Sequence, residues 1–372
     1  MAIIGKKIGI LGGGQLAQML TQRARQMGLH VTILTADADD PAVGYANAWI
    51  KGNIFDEDHI TALARHVDVI TLETEFIPAR TILKGLEKTK VRCVPHPNHL
   101  AILQDRWPQK ELLWDYQIPT SEFIKITGKD DLEAAYKVFD GELVLKKRLS
   151  GHDGFGTFII RTKAQFDLFK RTHKNQETQF IAEKLVHFKS EKSLIVSRNL
   201  TGDIFMYPLF HSVQKNQQCF RVWGPDHHPA LNEIVKKVTA LLNHLDYVGL
   251  ITFELFDMGS KLLVNEIIPR VHNSGHITQD AFSFDQFEMH LRAVADQTFP
   301  LEVQATKHFL MQNIVGSSIR KPNIEVGLQG KLHWYDKKQN KPNKKLGHIN
   351  YFGNSLRHLV TLADYDLKKI KT

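Results

Sequence analysis

The strongest constraint on the fold lies at the start of the chain. Residues 6–11 (KKIGIL) are a short apolar run leading directly into Gly12-Gly13-Gly14-Gln15-Leu16-Ala17, and an amphipathic stretch follows that closes at Gly28. This pattern predicts a strand, a tight turn and a helix. HVTILTAD and DVITLETEF are further apolar runs within the first hundred residues. Strands alternating with helices imply a parallel α/β sheet, because successive parallel strands need a crossover between them. The lysines and apolar residues at the start also resemble a signal peptide, but Gln15, Gln18 and Gln22 interrupt any continuous apolar region.

At 372 residues the chain is too long for one ordinary core, and two or three domains are expected. From about residue 106 the pattern changes to many antiparallel strands. These include GELVLKKR, GTFIIRT, TQFIAEKLV, EKSLIVSRN and GDIFMYPLF, then a helix NEIVKKVTALLNHL and a hairpin ITFELFDMGSKLLVNEII. From about 296 only short strands such as GKLHWYD and KKLGHINYF follow. No apolar run is long enough to span a bilayer. With only Cys93 and Cys219 there is no disulfide framework, which fits a reducing cytosol. The net charge of +8 suits anionic partners, but the basic clusters near 146–148 and 337–345 lack the interleaved aromatics of a nucleic-acid platform. Lys337 and Lys338 are otherwise expected on a solvated face.

Three further features carry chemistry. The turn Gly12–Ala17 matches G-x-G-x-x-A, a pattern that brings backbone close to a phosphate at a helix N-terminus. Asp37 or Asp39 could serve as the ribose-binding acid of a dinucleotide site. The alternatives are another phosphate ligand or a plain structural turn. Ser150-Gly151-His152-Asp153-Gly154-Phe155-Gly156-Thr157 is a second glycine-rich loop, between two strands and without the GK[ST] ending of a Walker loop. Its backbone N–H groups could fold over phosphates, or it could be an ordinary long hairpin. Lys146, in the apolar strand before it, needs an anionic or carbonyl partner.

The hairpin is the most informative of these features. If its turn is Gly259-Ser260-Lys261, Glu254 and Glu266 lie directly opposite one another, roughly 5 Å apart. Flanked by Phe253, Leu255, Val264 and Ile267, two carboxylates would repel. One is then protonated or a divalent cation sits between them, unless both face solvent. Directly after Glu266, Pro269-Arg270-Val271-His272-Asn273-Ser274-Gly275-His276 reads as an anion-handling loop, since arginine offers a planar fork to carboxylate or phosphate.

NEIIPRVHNSGH, QFEMHLRAV and LHWYDK with KKLGHIN, together with GGGQLAQML, DVITLETEFIP and KKRLSGHDGFG, resemble the N5-carboxyaminoimidazole ribonucleotide synthetases, ATP-grasp enzymes of purine biosynthesis. The resemblance covers nearly the whole chain. It implies an ATP-grasp fold, α/β and α+β, with a Rossmann-like parallel-sheet domain at 1–105, the ATP-grasp domain at 106–295 and a small C-terminal domain at 296–372. It implies ATP-dependent carboxylation of aminoimidazole ribonucleotide with bicarbonate, through carboxyphosphate, with Mg²⁺ or Mn²⁺. A cytoplasmic homodimer is also implied, with no nucleic-acid or membrane partner.

For ATP the resemblance points to Arg106, Lys146, the loop His152, Asp153, Gly154, Phe155, Gly156 and Thr157, the adenine hinge Glu183, Lys184, Leu185 and Val186, Glu191 on the ribose, and Gln214, Asn265 and Glu266. Glu254 and Glu266 resemble the metal ligands. Gly14, Gln15, Glu73, Asp153, Arg270, His272, Asn273, Ser274, Lys337, Lys344 and Lys345 resemble positions that hold substrate. Arg270, Lys146 and Asp153 are the expected catalytic groups. The sequence departs from the family pattern at His152, Phe155, Gln214 and Ile268. A formate-using ligase of the same superfamily, a dehydrogenase resting on the first glycine turn, and a catalytically silent nucleotide-binding protein are the competing readings.

Overall fold

The computed structural model describes residues 4–149, 151, 156–173, 179–317, 322–338 and 341–372. The first unit is a five-stranded sheet of β1 (Lys7–Leu11), β2 (His30–Thr35), β3 (Ala48–Lys51), β4 (Val69–Leu72) and β5 (Arg92–Val94), in the order β3-β2-β1-β4-β5. All pairs are parallel, as the alternation of strands and helices requires. The helix Gln15–Gln26 buries Leu16, Ala17, Met19, Leu20 and Ala24 along one face and carries Arg23 and Arg25 in its last turn, where the dipole favours cations. It stops at Gly28, whose φ of +77° is left-handed backbone open to glycine.

The second unit is a four-stranded antiparallel sheet in the order β6-β9-β7-β8, from β6 (Phe123–Ile126), β7 (Leu143–Lys147), β8 (Thr157–Ile160) and β9 (Phe180–Lys184). Helices Lys129–Val138 and Lys163–Thr172 close its core around Leu132, Phe166, Phe169 and Phe180.

The third unit is a nine-stranded antiparallel sheet. It contains β10 (Ser190–Arg198), β11 (Ile204–Met206), β12 (Leu209–Lys215), β13 (Gln218–Asp226), β14 (Gly249–Asp257), β15 (Leu262–Ile268) and β16 (His308–Val315). After β17 (Asn323–Ile324), the strands β18 (Lys331–Trp334) and β19 (Lys345–Gly353) complete it, and β20 (Ile370–Lys371) pairs with β17. The apolar stretch expected as one strand across GDIFMYPLF divides into β11 and β12 around Tyr207 and Pro208, because proline has no N–H for the ladder.

β13 pairs with β16 and β16 with β19, so the last part of the chain extends the large sheet instead of forming a sheet of its own. Arg23 joins Asp285 across the first and third units, and Arg92 and Lys6 both reach Asp296. Among the described residues no helix is long and apolar enough to cross a membrane.

Candidate active site

The two antiparallel sheets face one another across a cleft of about 520 Å³. Lys146 of β7 and Glu183 of β9 line it from the small sheet; Glu191 of β10, Glu254 of β14, and Asn265 and Glu266 of β15 line it from the large one. Gln15, Glu75 and Phe76 close one end from the parallel-sheet unit, and Arg270, His272, Asn273, His276 and Lys345 join them there.

Glu254 and Glu266 are directly paired across the β14–β15 ladder, as the spacing predicts, but by a different route. Near the turn the register places Asp257 opposite Leu262, with the Met258 N–H donating to the Lys261 carbonyl at 2.9 Å. A bulge at Asn265 then shifts the register by one residue and brings the two glutamates opposite each other. The bulge also aims Asn265 into the cleft. Its Oδ1 accepts from Lys146 Nζ at 2.9 Å and its Nδ2 donates to Glu254 at 3.4 Å.

Burial, and then the charges of Glu266 and Glu191, push the Glu254 carboxyl up to about 7. Two facing carboxylates, one of them reluctant to ionise, fit a hard divalent cation that would replace the proton. Among the described residues no cluster of three or more His, Cys, Asp or Glu could hold a metal unaided, so any cation here would need oxygen ligands from a bound phosphate as well.

Cationic groups surround this pair. Arg106, largely buried, points one nitrogen, Nη2, at Glu266, 3.1 Å from each carboxylate oxygen, and also donates to the carbonyls of Lys147 at 2.9 Å and Gly151 at 3.3 Å. Lys146 lies 2.8 Å from Glu183, whose other oxygen is 3.0 Å from Lys110 and accepts from Ser121 at 2.6 Å. Burial opposes ionisation of Glu183, but Lys110 and Lys146 outweigh it and hold its carboxyl well below the usual range. Its side chain thus anchors lysines, while its backbone runs in β9 toward Lys184, Leu185 and Val186, which line the cleft. Burial raises Glu191, partly offset by a hydrogen bond from Gln214.

At the other end Arg270 forks onto Glu75, with a second contact at 3.0 Å. His272 lies 3.5 Å from Glu254 and bonds Ser274 Oγ at 2.8 Å. Asn273 and Asn313 exchange hydrogen bonds at 3.1 and 2.7 Å.

Several expected residues stand elsewhere. The N–H groups of Gly14 and Ala17 donate to Glu73 at 2.6 and 3.0 Å, so the anion position of the glycine turn is filled by the chain's own carboxylate. Gly14, Glu73 and Ser274 do not line the cleft. The dinucleotide alternative fails for the same reason, and Asp39 pairs with Lys338 instead of standing ready for a ribose. Lys337 lies 5.8 Å from the Tyr335 ring and Lys344 is exposed; neither lines the cleft, whereas Lys345 does. Lys338 stands on a solvated face, as expected, and from there pairs with the exposed Asp39 of the first unit. Thr157 lines the cleft but Gly156 does not, and His152, Asp153, Gly154 and Phe155 lie outside the described residues.

Lys110 and Glu75 escaped the reading of the sequence. Helical spacing could have flagged Lys110, which sits one turn after Arg106, and strand alternation could have flagged Glu75, two residues after Glu73.

The glycine turn gives a direct prediction. Gly12 has φ +106°, and a Cβ there would meet Glu73 at 2.5 Å. Gly12→Ala should lose about 2–3 kcal/mol, from left-handed strain plus displacement of Glu73. A thermal melt unchanged from wild type would contradict this account of the turn.

Two antiparallel sheets that hold cations and a carboxylate pair around one cleft define an ATP-grasp enzyme, and the ATP-grasp domain family matches residues 111–287. The ribonucleotide synthetase preATP-grasp domain matches 5–104, and the phosphoribosylaminoimidazole carboxylase C-terminal domain matches 310–361. The chain belongs to the N5-carboxyaminoimidazole ribonucleotide synthase family. The member from Synechococcus elongatus is 35% identical over 351 residues, 92% of this chain and 88% of the relative. One from Staphylococcus aureus is 31% identical over 356 residues, 95% of this chain and 94% of the relative.

Among solved structures, the Staphylococcus aureus N5-carboxyaminoimidazole synthetase complexed with ADP superposes with a TM-score of 0.89 at 28% identity, covering 98% of this chain and 100% of the other. The Aspergillus clavatus synthase in complex with ADP and 5-aminoimidazole ribonucleotide gives 0.87 at 25% identity, covering 99% of each.

Proposed function

We propose that this chain uses ATP to carboxylate 5-aminoimidazole ribonucleotide with bicarbonate, giving N5-carboxyaminoimidazole ribonucleotide, ADP and phosphate. The observation that carries the reading is the Glu254–Glu266 pair set against Lys146 and Arg106 in one cleft. Family membership and the ligands bound by the Aspergillus clavatus synthase support it.

Glu254 and Glu266 would hold Mg²⁺, with Mn²⁺ an acceptable substitute. When bound, the ion neutralises phosphate charge. The adenine would lie along residues 183–186, its ribose near Glu191 and Gln214, and its phosphates near Lys146, Arg106, Asn265 and Thr157. A bicarbonate oxygen attacks the γ-phosphorus, the bond to the ADP oxygen breaks, and carboxyphosphate forms. The exocyclic amine then bonds to the carboxyl carbon, phosphate leaves, and the amine proton passes to a base, a role proposed for Asp153.

Carboxyphosphate is labile in water, so the cleft must exclude solvent around it. Arg270, with His272 and Asn273, is proposed to hold the bicarbonate-derived anion, and Gln15 and Lys345 to hold the ribonucleotide. A cytoplasmic homodimer goes with this reading.

ADP release should require both bicarbonate and aminoimidazole ribonucleotide. Release that ignores the ribonucleotide, or that formate supports in place of bicarbonate, would overturn the assignment.

A further inference from the structure

Lys110 is only 1% exposed, does not line the cleft, and sits behind Glu183 on the helix Arg106–Asp115. Its ammonium bonds Thr120 Oγ1 at 2.6 Å and Ser121 Oγ at 3.1 Å and pairs with Glu183 at 3.0 Å. Burying an ammonium this deeply is costly, and packing alone would be served by an apolar side chain of the same length.

The arrangement around it gives the charge a use. Glu183 bridges Lys110 and Lys146, and only Lys146, with Glu183 itself, faces the cleft. If Lys146 were the sole partner of Glu183, the two would cancel and the cleft wall would be neutral there. With Lys110 present, two ammonium groups share one carboxylate.

We propose that Lys110 is a positioning residue for nucleotide binding: it supplies the second positive charge that keeps the buried Lys110–Glu183–Lys146 cluster net cationic, so that Lys146 can attract nucleotide phosphate. This rests on the reading that Lys146 contacts phosphate. Burial draws the Lys110 ammonium down to about 8 while Glu183 opposes the shift, and the oxygens of Glu183, Thr120 and Ser121 around its Nζ suit an ammonium. A unit charge roughly 8 Å from a phosphate, at an effective dielectric near 20, is worth roughly thirtyfold in affinity before ionic screening and on the order of tenfold with it.

The experiment is titration of the full chain with ADP in the presence of Mg²⁺, together with the KM for ATP and for aminoimidazole ribonucleotide. Lys110→Met should weaken ADP binding and raise the ATP KM on the order of tenfold, with the ribonucleotide KM nearly unchanged. Lys110→Arg should stay within about threefold of wild type. In the double variant Lys110→Met/Glu183→Gln, Lys146 stands alone as the cluster's charge, and ADP affinity should return toward wild type. A packing role predicts that the double variant binds worse than Lys110→Met.

Wild-type ADP affinity in Lys110→Met, or a double variant weaker than the single one, overturns the proposal. Should Lys110→Met fail to fold, the double variant, in which no carboxylate loses an ammonium partner, carries the test against wild type. Lys146→Met separates the two levels. If it leaves ADP binding unchanged, the phosphate reading of Lys146 fails. If it weakens binding while Lys110→Met does not, only the role of Lys110 fails.

Discussion

Glu254→Gln is expected to cut turnover at least on the order of a thousandfold, and at the same time to stabilise the metal-free protein above pH 7. Both effects come from the same geometry. The Glu254 carboxyl is pushed up to about 7 by burial and by Glu266 and Glu191. A carboxyl whose folded pKa is raised contributes stability that is full below its ordinary value near 4.5 and is lost as pH rises through about 7. The loss is on the order of 2–3 kcal/mol once partial solvent access is allowed for.

Relative to the glutamine variant, the metal-free protein should therefore lose more stability between pH 5 and pH 8, and Mg²⁺ should raise its midpoint more at pH 8 than at pH 5. The glutamine variant should show a shallower pH dependence and a smaller Mg²⁺ effect, with Glu191 still contributing to the slope. Thermal unfolding across pH, with and without Mg²⁺, reads this independently of activity. Retained turnover, or the same pH slope in the variant, would refute the role of the pair. Glu266→Gln should lose turnover similarly but also lose stability, about 3 kcal/mol, because the buried Arg106 guanidinium is left without its carboxylate.

Arg270→Lys is expected to lower kcat/KM for bicarbonate on the order of a hundredfold or more, with nucleotide binding little changed. Arg270 already grips a carboxylate through its fork, that of Glu75, which demonstrates the geometry in which it would receive a planar anion. An ammonium keeps the charge but cannot make two parallel bonds, so this conservative change should be severe. Steady-state kinetics with bicarbonate varied provides the measurement. A loss confined to the ATP KM would move Arg270 out of the anion role.

Much of the site was legible wherever contacts are local. The pairing of Glu254 with Glu266 follows from two apolar strands joined by a short turn, and even the bulge at Asn265 only restores the register that simple symmetry suggests. The first glycine turn was legible as a place where backbone comes close to an anion. Its occupant was not, because Glu73 reaches it from a neighbouring strand, 59 residues away from Gly14 in the chain.

The same reason separates the remaining residues. Arg270 meets Glu75 across 195 residues and Arg106 meets Glu266 across 160. Lys110 meets Glu183 only because a helix from one segment packs behind a strand from another. No spacing pattern encodes such meetings, since they depend on how whole sheets pack and not on periodicity within one element.

The strand–turn–helix start, the parallel sheet it belongs to, the antiparallel hairpin and the facing glutamates were determined by the sequence alone, through local periodicity and turn length. Which anion fills the glycine turn, which carboxylate Arg270 holds, and how two buried lysines share one glutamate were decided only by the tertiary structure, because burial makes those charges costly until distant segments bring them their partners.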